Sequence, residues 1–265
     1  MATKIAEWLK LPEAKNIRNL DDPSTTLLNA QIIQKKGFLK RIYHDYYKMF
    51  RSSIPNIDSK FCVELGSGGG FIKEVIPNAV TSDILDLPNV DFRFSVLNMP
   101  FKTNAVDAFF MIDVLHHIGD STLFFSELGR CLKSGGKIIM VEPANTLWSR
   151  FIYQNFHHEP FDPSGGWGLT KTGPLSAANG AIPWIIFYRD RKKFEEEFPS
   201  IKIKTLKPHN PFRYLVSGGV SMRQLLPTFM YPIVKQIEFL LSPLSGMIGM
   251  FLLIVLVKET LPPRS

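Results

Sequence analysis

Two groups of residues in this chain have types and spacing suited to chemistry. One is the run Phe156-His157-His158-Glu159-Pro160-Phe161-Asp162-Pro163, followed by Trp167. Imidazoles and carboxylates among aromatics suit a substrate pocket with an acid/base group, because histidine changes charge near neutral pH and a carboxylate can orient its ring. His158 is the candidate base and Glu159 its orienter, although the same residues could simply pin an irregular loop. The other group is Glu64-Leu65-Gly66-Ser67-Gly68-Gly69-Gly70, with Asp83 seventeen residues after Gly66. Glycines there let the backbone turn sharply and approach a ligand with no Cβ in the way. The dinucleotide pattern GxGxxG fails, because Phe71 stands where the third glycine would fall, and no GxxxxGK[ST] phosphate loop is present. An acid two residues before the first glycine would repel a pyrophosphate and suit a cationic ligand. Asp83, ending a second strand, can accept hydrogen bonds from both hydroxyls of a ribose.

A frame must bring these groups to one edge. Short apolar runs predict strands at 60–65, 79–82, 92–96, 106–112, 137–141, 201–206 and 250–257. Helical patterns lie at 29–50, 71–76 and 121–132, with Ser121 as a cap, and Lys133-Ser134-Gly135-Gly136 reads as a turn. Strands alternating with helices imply parallel βαβ units, and ligands then bind outside the carboxyl ends of the strands. The expected layout is an N-terminal helical lid (1–56), a core (57–143), a substrate-side insertion (144–200), and the last two strands with an apolar helical insertion (201–265), all within one structural domain.

The stretches VELGSGGGFI, TSDIL, LNMPFKTNAVDAFFMIDVLHHIGD and LGRCLKSGGKIIMVEP, in that order, resemble the successive motifs of the class I S-adenosylmethionine-dependent methyltransferases, and most closely the group that methylates small molecules and lipids. The resemblance covers roughly residues 57–143. It implies a doubly wound seven-stranded α/β sheet whose last, antiparallel strand sits beside the fifth, and S-adenosylmethionine as cofactor. By position it implies that Glu64 organises the methionine amino group, that Gly66, Ser67 and Gly68 form the loop against the methionine portion, and that Asp83 holds the ribose. Ile84 would lie against the adenine, Ser95 and Val96 along its edge, and Ile112 and Asp113 near the methyl group. The family usually has an Asp where Ser95 stands, which puts recognition of the exocyclic amine in doubt. The pattern also resembles methyltransferases found with bacterial glycan enzymes, which implies O-methylation of a small or lipid-linked acceptor such as a saccharide. A non-catalytic cofactor-binding scaffold is the alternative.

Composition narrows the partners. The net charge of +7 would favour anionic surfaces, but the densest basic run (Arg189, Arg191, Lys192, Lys193) is followed by Glu195, Glu196 and Glu197 and reads as a solvated helix face. Nucleic acid is not an expected partner. Ile112-Asp113-Val114-Leu115 lacks the Pro-Pro-aromatic signature of amino-methylating enzymes, and neither Cys62 nor Cys131 follows a proline. No Cys/His cluster has ligand spacing, so no metal is expected. His116 and His117 read as packing residues or as supports behind the residues of the site. Tyr43, Tyr46 and Tyr47 read either as a lid or as a packed helix face. The first ten residues lack the apolar core of a signal peptide, so a cytoplasmic protein is expected. The nineteen uncharged residues 239–257 approach membrane-span length, but Pro243, Gly246 and Gly249 divide them. The apolar segment 210–248 suggests peripheral contact with the inner face of a membrane, a helical cap on the domain, or a surface for a dimer partner.

Overall fold

The strands arise where runs of apolar residues can be covered on both faces. In a computed structural model, which describes residues 9–13, 19–157 and 159–260, they are β1 (Cys62–Leu65), β2 (Val80–Asp83), β3 (Phe92–Arg93), β4 (Val106–Ile112), β5 (Leu132–Pro143), β6 (Ile201–His209) and β7 (Phe251–Lys258). They form one sheet in the order β3-β2-β1-β4-β5-β7-β6. The first five strands pair in parallel, and β7 runs antiparallel between β5 and β6. The strand order reverses between β1 and β4, so the loops after these two strands diverge and leave a crevice at their carboxyl ends.

The run 239–257 is therefore no span. Its second half is the buried strand β7, and among the described residues no helix is long and apolar enough to cross a membrane.

Several sequence expectations shift. The helix expected at 29–50 is two helices, α1 (Pro23–Lys35) and α2 (Gly37–Ser53). They break at Lys36, whose extended backbone lets its ammonium donate to the carbonyls of Gly219 (2.5 Å) and Met222 (2.6 Å). The helix expected at 71–76 is a single turn, Ile72–Glu74. β3 stops at Arg93, because the Ser95 hydroxyl and carbonyl accept from the backbone of Leu97 (3.2 Å) and Asn98 (3.0 Å) and turn the chain. Residues 133–136 bulge out within β5: Leu132 pairs with Val106 but Lys137 pairs with Ala108, and Gly135 supplies a φ of 78°. The helix α3 (Ser121–Cys131) is capped by Asp120, which accepts from Leu123 N at 2.9 Å, and not by Ser121.

The insertion holds α4 (Leu147–Phe156), started by a Thr146–Ser149 capping box, and α5 (Arg191–Glu197). On α5 the basic run meets its acids at i,i+4 on the exposed surface, as Arg191–Glu195, Lys192–Glu196 and Lys193–Glu197. Between β6 and β7 lie α6 (Arg213–Ser217) and α7 (Tyr231–Leu240). A continuous apolar core runs from Phe38 of α2 through the sheet to Leu256 of β7.

Candidate active site

The loop after β1 turns at Gly66, where φ is +64° and a Cβ would come within 2.6 Å of the Val114 side chain. It is held on its far side by Asp83, which ends β2 and accepts from Gly68 N and Leu85 N, both at 2.9 Å. Two adjoining chambers open at this edge. The first, about 190 Å³, is lined by Asp83, Ile84, Phe94, Ser95, Val96 and Leu97. The second, about 210 Å³, is lined by residues including Glu64, Ser67, Ile112, His116, His157 and Glu159. Thr26, Gly66, Gly68, Asp113, His117 and Leu175 line both. All ten residues expected around a cofactor therefore face one or both chambers.

Glu64 carries the most direct sign of a ligand. It is 2% exposed, and its Oε2 is buried with no hydrogen-bond partner among the described residues. Burial pushes its carboxyl up to about 8, against the pull of the Ser67 and Tyr47 hydroxyls. An unsatisfied buried carboxylate oxygen is costly, and a cationic amino group is the partner it lacks. Asp83 keeps lone pairs free beyond its two backbone contacts, and Ile84 leaves an apolar side chain half exposed at the chamber. The residues present thus fit a ligand with an ammonium, two hydroxyls and a flat apolar ring. Tyr46 and Tyr47 are buried in the core, while Tyr43 and Tyr47 also line the second chamber.

The second chamber holds a hydrogen-bonded chain that the sequence did not reveal. Glu142, fully buried at the end of β5, accepts from Val114 N (2.9 Å) and Leu115 N (2.8 Å). It also faces His116 Nδ1 at 2.7 Å. The other nitrogen of His116 lies 3.5 Å from Glu159. His117 Nε2 lies 3.8 Å from Glu159, and its Nδ1 is 2.9 Å from the Ala177 carbonyl. His157 Nδ1 is 3.8 Å from Glu159. Burial opposes the imidazolium of His116, but Glu142 and Glu159 outweigh it and hold the group well above its ordinary value. Burial and the charge on His116 push His117 down to about 4. Burial would raise Glu159, but His116 and its neighbours hold it well below the usual carboxylate range. Asp113 sits in a left-handed conformation (φ 56°), and burial lifts its carboxyl to about 8.

The histidines shown around Glu159 are His116, His117 and His157. The proposed base His158 lies outside the described residues. His116 and His117, expected to pack or to support the site from behind, both turn a ring nitrogen toward Glu159. Glu142 carried a readable signal, since it ends a strand at the ligand edge.

Residues 71–140 match a family model described as a methyltransferase domain. The chain contains a class I S-adenosylmethionine-dependent methyltransferase domain. No protein of curated function matches the chain. Among solved structures, this methyltransferase is similar to one from Thermotoga maritima, a possible histamine N-methyltransferase, at 13% identity and a TM-score of 0.50 over 82% of this chain and 89% of that one. It is also similar to a chain in the complex of the Haloferax volcanii Trm112 methyltransferase activator with a methyltransferase, at 13% identity and a TM-score of 0.51 over 89% and 97%. At such identity the methyltransferase shares their fold, and nothing about its acceptor follows.

Proposed function

We propose that this methyltransferase acts on a hydroxyl oxygen of a small acceptor carried on a lipid, such as a lipid-linked saccharide. The observation that supports this most is the seam between the chambers, where Asp113 and His117 line both the side bearing Asp83 and the side bearing Glu159. Methyl transfer needs the nucleophile held in line with the donor carbon, and an alcohol also needs a base. S-adenosylmethionine supplies a methyl carbon whose bonding pair returns to sulfur as the new bond to oxygen forms. Glu64 would hold its amino group and Asp83 its ribose hydroxyls. Ile84, Phe94 and Val96 would pack on the adenine, with the Ser95 hydroxyl in place of the usual carboxylate. His117 is neutral at pH 7. Its Nδ1–H donates to the Ala177 carbonyl, which leaves Nε2 as a lone pair to accept the acceptor's proton.

The lipid-linked reading rests on the surface beside this chamber. Ile233, Ile237 and Leu240 form an exposed i, i+4, i+7 stripe on α7, while Leu147, Phe151 and Phe156 are exposed on α4. The short helix Ser245–Ile248, with Met247 exposed, packs on α4 and joins the two faces. Phe156 is directly followed by His157, which lines the chamber. Exposed Arg150 on α4 and Lys235 on α7, the latter paired with Asp45, lie on the same two helices and suit anionic headgroups.

The test is methyl transfer to a panel of phenols, free sugars, amines and lipid-linked saccharides, read by mass spectrometry of the products. Turnover is expected on lipid-linked hydroxyls. Transfer to amines but not hydroxyls would overturn the reading, and cofactor binding with no turnover on the panel would favour a binding scaffold. The double variant Ile233→Asp/Ile237→Asp should lose sedimentation with anionic vesicles while keeping cofactor affinity; unchanged sedimentation would remove the membrane from the proposal.

A further inference from the structure

The second chamber contains two imidazoles and a carboxylate converging on one point. The ligand-capable atoms of His116, His117 and Glu159 all lie within 4.8 Å of one another. Their nearest separations are 3.5 Å (His116 Nε2 to Glu159 Oε2) and 3.8 Å (His117 Nε2 to Glu159 Oε1). These are long for hydrogen bonds. They approach the edge of a tetrahedron around zinc, about 3.4 Å for metal–ligand bonds near 2.1 Å.

Each ring is also held from behind. His116 Nδ1 faces Glu142 at 2.7 Å, and His117 Nδ1 faces the Ala177 carbonyl at 2.9 Å. Carboxylate and carbonyl are acceptors, so both Nδ1 atoms carry the proton and both Nε2 atoms point toward Glu159. A carboxylate or carbonyl behind Nδ1 is the arrangement that orients metal-bound histidine. Glu142 is itself fixed by the amides of Val114 and Leu115. A proton on His116 Nε2 can join that ring to Glu159. That same proton cannot also join His117 Nε2 to Glu159, whereas one cation can bind all three.

We propose that His116 Nε2, His117 Nε2 and Glu159 bind a first-row divalent transition metal, with Glu142 and the Ala177 carbonyl orienting the two rings. Two imidazoles and one carboxylate suit zinc, manganese, iron or cobalt and leave a coordination position open. All three ligands line the second chamber together with Tyr153 and Tyr214. With metal bound, His117 Nε2 is a ligand and no longer the base, and the open position would hold and acidify the acceptor hydroxyl in its place; that role rests on the O-methylation reading, whereas metal binding itself does not. The ligands come from two segments more than forty residues apart, which is why no spacing motif announces them.

The test uses the full chain, stripped with chelator and titrated with Co²⁺ followed by visible d–d absorption, then with Zn²⁺ in competition. One equivalent per chain with tetrahedral-type absorption is expected, displaced by Zn²⁺. His117→Ala and Glu159→Gln should each weaken Co²⁺ binding at least ~10-fold, while His44→Ala on α2 should leave it unchanged. Circular dichroism establishes that each variant is folded, and Glu159→Gln keeps the side-chain shape. No stoichiometric uptake, or equal affinity in the wild type and both ligand variants, would overturn the site. S-adenosylhomocysteine is titrated by calorimetry into the same samples. Its binding without metal uptake overturns the metal site alone. Metal uptake without its binding supports the metal site and removes the methyltransferase reading.

Discussion

Glu64 is the residue whose state couples folding to ligand. Its carboxyl is raised to about 8 by burial. A carboxyl raised on folding contributes stability that is fully present below its unfolded value, about 4.3, and is lost as pH climbs through about 8. Glu64→Gln should therefore melt close to wild type near pH ~5 and above it near pH ~9, in thermal scans without ligand. The same variant should bind S-adenosylmethionine ~10–100-fold more weakly, since a charged hydrogen bond contributes about 1.5–3 kcal/mol. A variant that lost neither the pH dependence nor the affinity would show that the orphaned oxygen serves no ligand. Glu64 and Asp83 were legible because each sits at a strand end beside a glycine loop, where chain order alone fixes the place. The meeting of His116 and His117 with Glu159 was not, because it depends on how the insertion folds back across the sheet edge.

The elements that bear on the site are the loop and the helix that covers it. A Cβ at Gly69 would lie 2.7 Å from the Ala30 Cα and 2.8 Å from its nitrogen. Backbone cannot yield as a flexible side-chain tip can. Gly69→Ala should push α1 off the loop and cost about 1–3 kcal/mol in denaturant unfolding; a loss below about 0.5 kcal/mol would mean that α1 docks loosely. The inner strands β1 and β4 were legible as apolar runs because a strand covered on both faces needs no alternation. The break at Lys36 was not. It is set by two carbonyls nearly two hundred residues downstream, and the helical periodicity of 29–50 runs through it unmarked. The bulge at 133–136 was half legible: its glycines announced a turn, but the pairing on either side kept it within β5.

At the scale of the molecule, the segment between β6 and β7 is tied to the N-terminal helices by a largely buried ion cluster. Arg213 of α6 pairs with Glu238 of α7, and with Asp45 of α2 at 2.8 Å. Arg213→Ala would leave Glu238, 7% exposed, without its cation. The expected cost is about 3–5 kcal/mol in urea unfolding, and a neutral result would mean that the cluster relaxes into water. Arg213, Glu238, Asp45 and Tyr231 come from three elements, so only the apolar character of 210–248 was readable beforehand. Within that segment a cap and an exposed ridge coexist: Tyr231 and Val234 are buried, whereas Ile233 and Ile237 face outward. The most direct test of the molecule as a methyltransferase is calorimetric titration with S-adenosylmethionine and S-adenosylhomocysteine, alongside Asp83→Ala. Micromolar binding of both, lost or weakened at least ~100-fold in the variant, a change of about 2.7 kcal/mol, is expected from a carboxylate that caps the loop and holds the ribose. No binding by the wild type, or equal binding by a folded Asp83→Ala, would contradict it.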